Sequence, residues 1–311
     1  FCNVDYLGVA YVDEGVELRK NGITKPILVM NPSTGSFNAL INHDLTPAIH
    51  DLSQLNSFTG KLIDLNVNAY PVHLKINSGM NRLGFSEAEI DSLITFLKSQ
   101  PEIKVEGIFS HLFASDNDQG ESQSLQQIKN FKLSCEKIEG SLRINTIKHI
   151  LNTGGIERYA DHQFNMVRLG IGLYGISSRN DLKPIAALTS TVSKVREVDA
   201  EEFIGYGLTN VTKKKTKIAI IPLGYADGYA RVLGNGNGHM MIDNKLIPTV
   251  GNICMDMTFL DVTNLNIKEG DRVEVFGANR KIQDLANEAN TIPYEILSCI
   301  SHRVVRVYEK D

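Results

Sequence analysis

Cysteine is sparse in this chain. Four occur among 311 residues, Cys2, Cys135, Cys254 and Cys299, and no two form a CxxC pair. Their scatter argues against a thiolate metal site and a disulfide scaffold, and it points to a reducing, cytoplasmic setting. Long apolar runs are missing too. The longest, such as Ile218–Leu223, fall far short of the roughly 20 residues that span a bilayer. Positive charge is not in excess: 32 Lys and Arg stand against 36 Asp and Glu, so nothing favours a nucleic acid as partner. The run Gly234-Asn235-Gly236-Asn237-Gly238 lacks the Lys-Ser/Thr and following helix of a phosphate-binding loop, and reads instead as a flexible hairpin tip. An initiator methionine and a signal-peptide pattern are also lacking. The chain opens Phe1-Cys2-Asn3-Val4-Asp5 almost directly into a strand-like segment, as a fragment cut from a longer protein would.

What remains is ordinary for a globular enzyme: 42% hydrophobic and 22% charged residues, and enough length for two domains with a large core. Residues 1–180 alternate apolar runs with amphipathic stretches. Tyr6–Ala10, Pro26–Met30, Leu45–Ile49, Tyr70–Ile76, Val105–Phe109, Thr146–Leu151 and Met166–Ile176 read as strands. Asp13–Asn21, Ser86–Lys98 and Glu121–Ile138 read as helices, the second with Ile90, Leu93, Ile94 and Leu97 in one apolar stripe. The alternation predicts βαβ units and a parallel sheet, with seven strands of a (β/α)8 barrel that lacks its first. Residues 181–311 change character. Leu188–Val198, Lys217–Leu223, His239–Ile242, Ile247–Val250, Thr258–Val262 and Asp271–Phe276 predict a second, mostly antiparallel β domain, with helices only at Ile282–Ala289 and Pro293–Ile300.

Barrel chemistry sits at the C-terminal strand ends, so polar residues there carry most weight. Lys75 ends the Tyr70–Ile76 strand and Arg82 lies on the loop that follows. His111 follows Val105–Phe109, and Asn152-Thr153-Gly154-Gly155 follows Thr146–Leu151. Arg168-Leu169-Gly170-Ile171-Gly172 lies in the last run. Taken singly, Lys75 and Arg82 also suit surface cations, His111 a structural histidine, and Asn152–Gly155 an ordinary helix-capping turn. Arg168 is different, because a charge inside an apolar run must face a partner or a cavity. One polar group at each successive strand end is a pattern rather than scatter.

These segments, with Leu7–Ala10, Arg19–Ile23, Lys75–Phe85, Gly107–His111, Met166–Gly175, Gly224-Tyr225-Ala226-Asp227-Gly228-Tyr229 and Val250–Asp256, resemble alanine racemase, a fold type III pyridoxal-phosphate enzyme, across residues 6–308. The resemblance implies pyridoxal 5′-phosphate as cofactor, alanine as substrate and a homodimer whose active sites are shared between subunits. It further implies interconversion of L- and D-alanine by two bases, supplying peptidoglycan synthesis. Asn152, Thr153 and the backbone at Gly170 and Ile171 would hold the cofactor phosphate, with His302 nearby. Arg168 would face the pyridine nitrogen. Tyr225 would be one base, coupled through His111 to Arg168; Arg82, the Met255 N–H and Asp256 would meet the substrate carboxylate. Lys75 matches a position often carbamylated in the family. No metal is implied.

Three departures accompany the match. The family's Schiff-base lysine and a neighbouring phosphate-binding tyrosine lie on the first barrel strand, which this chain does not contain, so the chain as given is expected to be inactive. His302 stands where many relatives carry tyrosine, and Asn252 replaces a common arginine; both are expected to alter substrate entry, which His302→Tyr would test through KM. Two other functions suit the barrel, namely another fold type III racemase or decarboxylase, and a non-catalytic relative. Arg168 argues against the decarboxylase, which would use an acidic partner at the pyridine nitrogen.

Overall fold

The computed structural model describes residues 4–178, 182–208 and 210–309. The chain divides into two units, Phe1–Gly170 with Ser177–Arg179, and Ile171–Ile176 with Asn180–Asp311.

In the first unit six short strands pair in parallel in sequence order: β1 (Leu7–Val9), β2 (Ile27–Val29), β3 (Thr46–Ile49), β4 (Tyr70–Lys75), β5 (Ile103–Phe109) and β6 (Ile147–His149). Helices α1 (Val12–Lys20), α2 (Phe37–Asn42), α3 (Leu52–Asp64), α4 (Ile90–Leu97) and α5 (Glu121–Leu142) connect them, and α6 (Thr153–Arg158) follows β6. The sheet is a curled, incomplete TIM-like barrel. Strand periodicity sorts its side chains into two layers. Val29, Ile49, Val72, Leu74 and Ile108 join the main core together with the helix residues, among them the Ile90, Leu93, Ile94 and Leu97 stripe of α4. Leu28, Ala48 and Phe109 form a separate small cluster with Tyr6 and Met30. The alternation places His73 and Lys75 on the opposite face of β4 from Val72 and Leu74.

The expected strand Met166–Ile176 is not present. Met166–Gly170 makes only scattered bonds to the end of β6, such as Arg168 N–H to the Leu151 carbonyl at 2.9 Å, and Ile171–Tyr174 is a 3-10 turn. Three glycines at 170, 172 and 175 offer no side chains to a ladder.

The second unit holds two antiparallel sheets. One has the order β11-β10-β13-β7 and the other β12-β9-β8, from β7 (Leu188–Thr191), β8 (Lys194–Val198), β9 (Thr216–Ile221), β10 (His239–Ile242), β11 (Lys245–Pro248), β12 (Thr258–Asp261) and β13 (Arg272–Phe276). Helices α7 (Ile282–Glu288) and α8 (Pro293–Cys299) complete it. The expected single strand Leu188–Val198 is two. The chain changes sheets at Val192-Ser193, whose N–H groups bond Asp271 in one sheet and Ile220 in the other. The Gly234–Gly238 run is not a hairpin tip either. It leads into β10 and is pinned by Asn235 N–H to the Gly251 carbonyl at 2.8 Å. The tight hairpin turn is Asp243-Asn244, both in the left-handed region, between β10 and β11.

Candidate active site

Four of the expected residues, Lys75, Arg82, His111 and Arg168, meet at the C-terminal ends of β4, β5 and β6. Lys75 ends β4 and is buried. The loop beyond it closes on itself through Asn77 N–H to the Phe85 carbonyl and Phe85 N–H to the Lys75 carbonyl, both 2.9 Å, and carries Arg82 at an exposed position. The buried ring of Phe109 is approached by two cations, Lys75 Nζ at 5.8 Å and the Arg168 guanidinium at 5.5 Å. Burial pulls the Lys75 ammonium down from 10.5 to about 8, and the neighbouring cations Arg82 and Arg168 add to it. His111 is held down to about 4 by burial and then by Arg168, Arg82 and Lys75. Every charge that moves these two groups is positive, so this mouth is electrostatically prepared for an anion.

Arg168 is fixed by a fork of acceptors. Nη2 donates to the Ser110 carbonyl at 2.6 Å and the Ile150 carbonyl at 3.1 Å, and Nη1 to His149 Nδ1 at 2.7 Å and the His149 carbonyl at 3.2 Å. His111 Nδ1 lies 3.3 Å from Nη2. Burial lowers the guanidinium to about 10, still well above neutrality. A guanidinium only donates, so His149 Nδ1 must accept and the His149 proton sits on Nε2. That N–H then donates to His73 Nδ1 at 2.9 Å, which puts the His73 proton on its own Nε2, a buried atom without a hydrogen-bond partner among the described residues. Burial holds both imidazoles neutral: His73 falls to about 4, and His149 is pushed well below its ordinary value. Phe109 stacks on His149 at 5.0 Å. Gly107 admits the His73 ring, since a Cβ there would stand 2.4 Å from Cε1. Sequence reasoning missed His73 and His149, although His73 lies two residues before Lys75 and shares its strand face.

Asn152 caps α6, its side chain accepting from Gly155 N–H at 3.0 Å and from Ser115 Oγ at 2.7 Å. Thr153 Oγ1 accepts from Gly170 N–H at 3.3 Å. A Cβ on Gly170 would meet nothing within 4 Å, so this backbone borders open space. Among the described residues no group of His, Cys, Asp or Glu is placed to hold a metal ion.

The other expected residues lie in the second unit. Ile171 opens its 3-10 turn. Tyr225 begins the turn Tyr225–Asp227 and is exposed, as are Met255 and Asp256. Tyr225 N–H bonds the Cys254 carbonyl at 3.1 Å and Ala226 N–H the Met255 carbonyl at 3.0 Å, which joins the two segments directly. His302 is exposed. Asn252 spans two loops, donating to the Tyr206 carbonyl at 2.7 Å and accepting from Asn235 Nδ2 at 2.9 Å.

Two family models cover nearly the whole chain, the alanine racemase N-terminal domain over residues 2–178 and the alanine racemase C-terminal domain over residues 185–308. The chain belongs to the alanine racemase family. Alanine racemase 1 of Oceanobacillus iheyensis is 36% identical to it, over 99% of this chain and 85% of that protein. Among solved structures, the alanine racemase of Clostridium difficile 630 matches with a TM-score of 0.87 and 34% identity, over 97% of this chain and 81% of that one. The alanine racemase of Bartonella henselae, solved with covalently bound pyridoxal phosphate, matches with a TM-score of 0.90 and 26% identity, over 99% and 86%. The incomplete barrel and the β domain of this family member thus have solved counterparts.

Proposed function

We propose that this chain carries the machinery that interconverts L- and D-alanine with pyridoxal 5′-phosphate as cofactor. The observation that carries this reading is Arg168. Among the described residues, three carbonyls and two neutral histidines, His149 and His111, meet its donor-only fork, and no carboxylate is among its bonded partners. Bound pyridoxal phosphate acidifies the α-proton of an attached amino acid by withdrawing electrons. Arg168 would face the ring nitrogen and donate to it without surrendering a proton, which would moderate that withdrawal and favour return of the proton to Cα.

The remaining residues divide the work. The Thr153 hydroxyl, the backbone at Gly170 and Ile171, and the Asn152 turn suit the phosphate, because small residues leave room and neutral donors suit a dianion. Arg82 and the Met255 N–H of a second copy take the substrate carboxylate, beside that copy's Asp256. Tyr225 of a second copy moves a proton at one face of Cα; a free phenol titrates near ~10, so it needs the coupling through His111 to Arg168. Residues 1–180 form the cofactor domain and 181–311 the β domain of a cytoplasmic homodimer that serves peptidoglycan synthesis.

The test is product analysis. Full-length protein supplied with pyridoxal phosphate and L-alanine should yield D-alanine. Release of carbon dioxide with ethylamine would instead establish a decarboxylase, and no turnover of any amino acid would leave a binding protein.

A further inference from the structure

One guanidinium joins the Tyr225 turn to the Met255 segment. Arg303 Nε donates to Asp227 Oδ1 at 2.7 Å, and Arg303 Nη2 donates to Asp256 Oδ1 at 2.6 Å. The other Asp227 oxygen, Oδ2, accepts from Gly224 N–H at 2.8 Å, which closes the turn carrying Tyr225. Asp256 directly follows Met255. Beneath the guanidinium the two segments are already in backbone contact through Tyr225 N–H to the Cys254 carbonyl and Ala226 N–H to the Met255 carbonyl. Gly224 permits that approach, since a Cβ on it would stand 2.3 Å from the Met255 carbonyl oxygen. The far side is anchored as well. Ser301 N–H bonds the Asp227 carbonyl at 3.2 Å, and Arg306 Nη2 bonds the Ile300 carbonyl at 3.0 Å.

Arg303 is 45% exposed, and a single exposed ion pair contributes little to stability. Its placement matters in another way. Two carboxylates, each set beside a residue of the proposed site, share one planar donor whose nitrogens have fixed spacing. The same contact places a positive charge on Asp256, whose carboxylate would otherwise repel an anion approaching the Met255 N–H.

We infer that Arg303 is a positioning residue that fixes the Tyr225 turn against the Met255 segment and neutralises Asp256 where the substrate carboxylate binds. The inference rests on Tyr225 and the Met255 N–H having the roles proposed above. Arg303→Lys supplies one compact donor for two carboxylates, so it restores the charge without the span.

The test compares Arg303→Ala, Arg303→Lys and Tyr225→Phe in the full-length protein loaded with pyridoxal phosphate, reading alanine kinetics, thermal midpoint and amide exchange by mass spectrometry. For Arg303→Ala we expect kcat/KM to fall about 10- to 100-fold, with KM raised and the thermal midpoint nearly unchanged. Exchange should accelerate selectively over residues 224–227 and 254–256, and Arg303→Lys should recover KM more than kcat. Asp256→Asn should loosen residues 254–256 alone, and it reads out the same link if Arg303→Ala does not fold. Wild-type kinetics and exchange in Arg303→Ala, beside a crippled Tyr225→Phe, would overturn the role of Arg303 alone. A fully active Tyr225→Phe would overturn the reading of Tyr225, and the Arg303 inference with it.

Discussion

Replacing Lys75 with methionine should stabilise the first unit at neutral pH. The ammonium is buried at the end of β4, next to Arg82 and Arg168, and its pKa falls from 10.5 to about 8. That displacement corresponds to about 3 kcal/mol against the protonated form in the folded state. The penalty is fully present below pH 8, where folded and unfolded chains both hold the proton. It is lost as pH rises from 8 to 10.5, because only the unfolded chain still binds the proton there. Methionine keeps most of the stem and removes the charge. In carbonate-free buffer, urea unfolding should therefore show Lys75→Met more stable than wild type by about 2–3 kcal/mol at pH 7. The advantage should disappear near pH 10.5. The same lowered pKa leaves much of the amine neutral near pH 8, ready to attack carbon dioxide; the new N–C bond releases one proton and leaves a carbamate anion beside two guanidinium groups. Bicarbonate at about ten times its dissociation constant should then stabilise wild type by about 1.4 kcal/mol and leave Lys75→Met unchanged. A variant less stable than wild type at pH 7, or a difference that does not shrink on raising the pH, would refute this reasoning.

Other consequences concern the groups behind Arg168. Nitrogen-15 spectra of His149 and His73 should show both protonated at Nε2 only, with neither titrating between pH 5 and 8; a His149 proton on Nδ1 would contradict the Arg168 contact. Gly107→Ala should cost about 1–3 kcal/mol in chemical denaturation, because the added carbon meets the buried His73 ring. Arg82→Ala should leave the thermal midpoint nearly unchanged, raise KM for alanine, and move the Lys75 pKa upward on titration, since Arg82 is one of the charges holding it down.

Local pattern was enough to read much of the fold. The stripe of α4, the two-residue period that separates Val72 and Leu74 from His73 and Lys75, and the capping asparagine of α6 were all visible as residue spacing. Helix α3 carried the same kind of signal and was passed over: Asp51 caps it by accepting Gln54 N–H, and Leu55, Phe58 and Leu62 form its buried face. The segment Met166–Ile176 misled because apolar composition says nothing about whether a ladder partner exists. For the site, strand ends pointed to Lys75 and His111, and a charge inside an apolar run pointed to Arg168. The histidines behind Arg168 were not legible, because the His73–His149 contact joins residues 76 apart and depends on the curl of the sheet. Arg303 escaped notice for a similar reason, since its two acids lie 76 and 47 residues away.

The decisive measurement is α-proton exchange of L-alanine in heavy water by the full-length protein with pyridoxal phosphate, beside the formation of D-alanine, in wild type and Tyr225→Phe. We predict that wild type forms D-alanine carrying solvent deuterium at Cα and that Tyr225→Phe loses most of this conversion. Equal racemisation by Tyr225→Phe, or exchange that never yields D-alanine, would contradict a two-base racemase built on these residues.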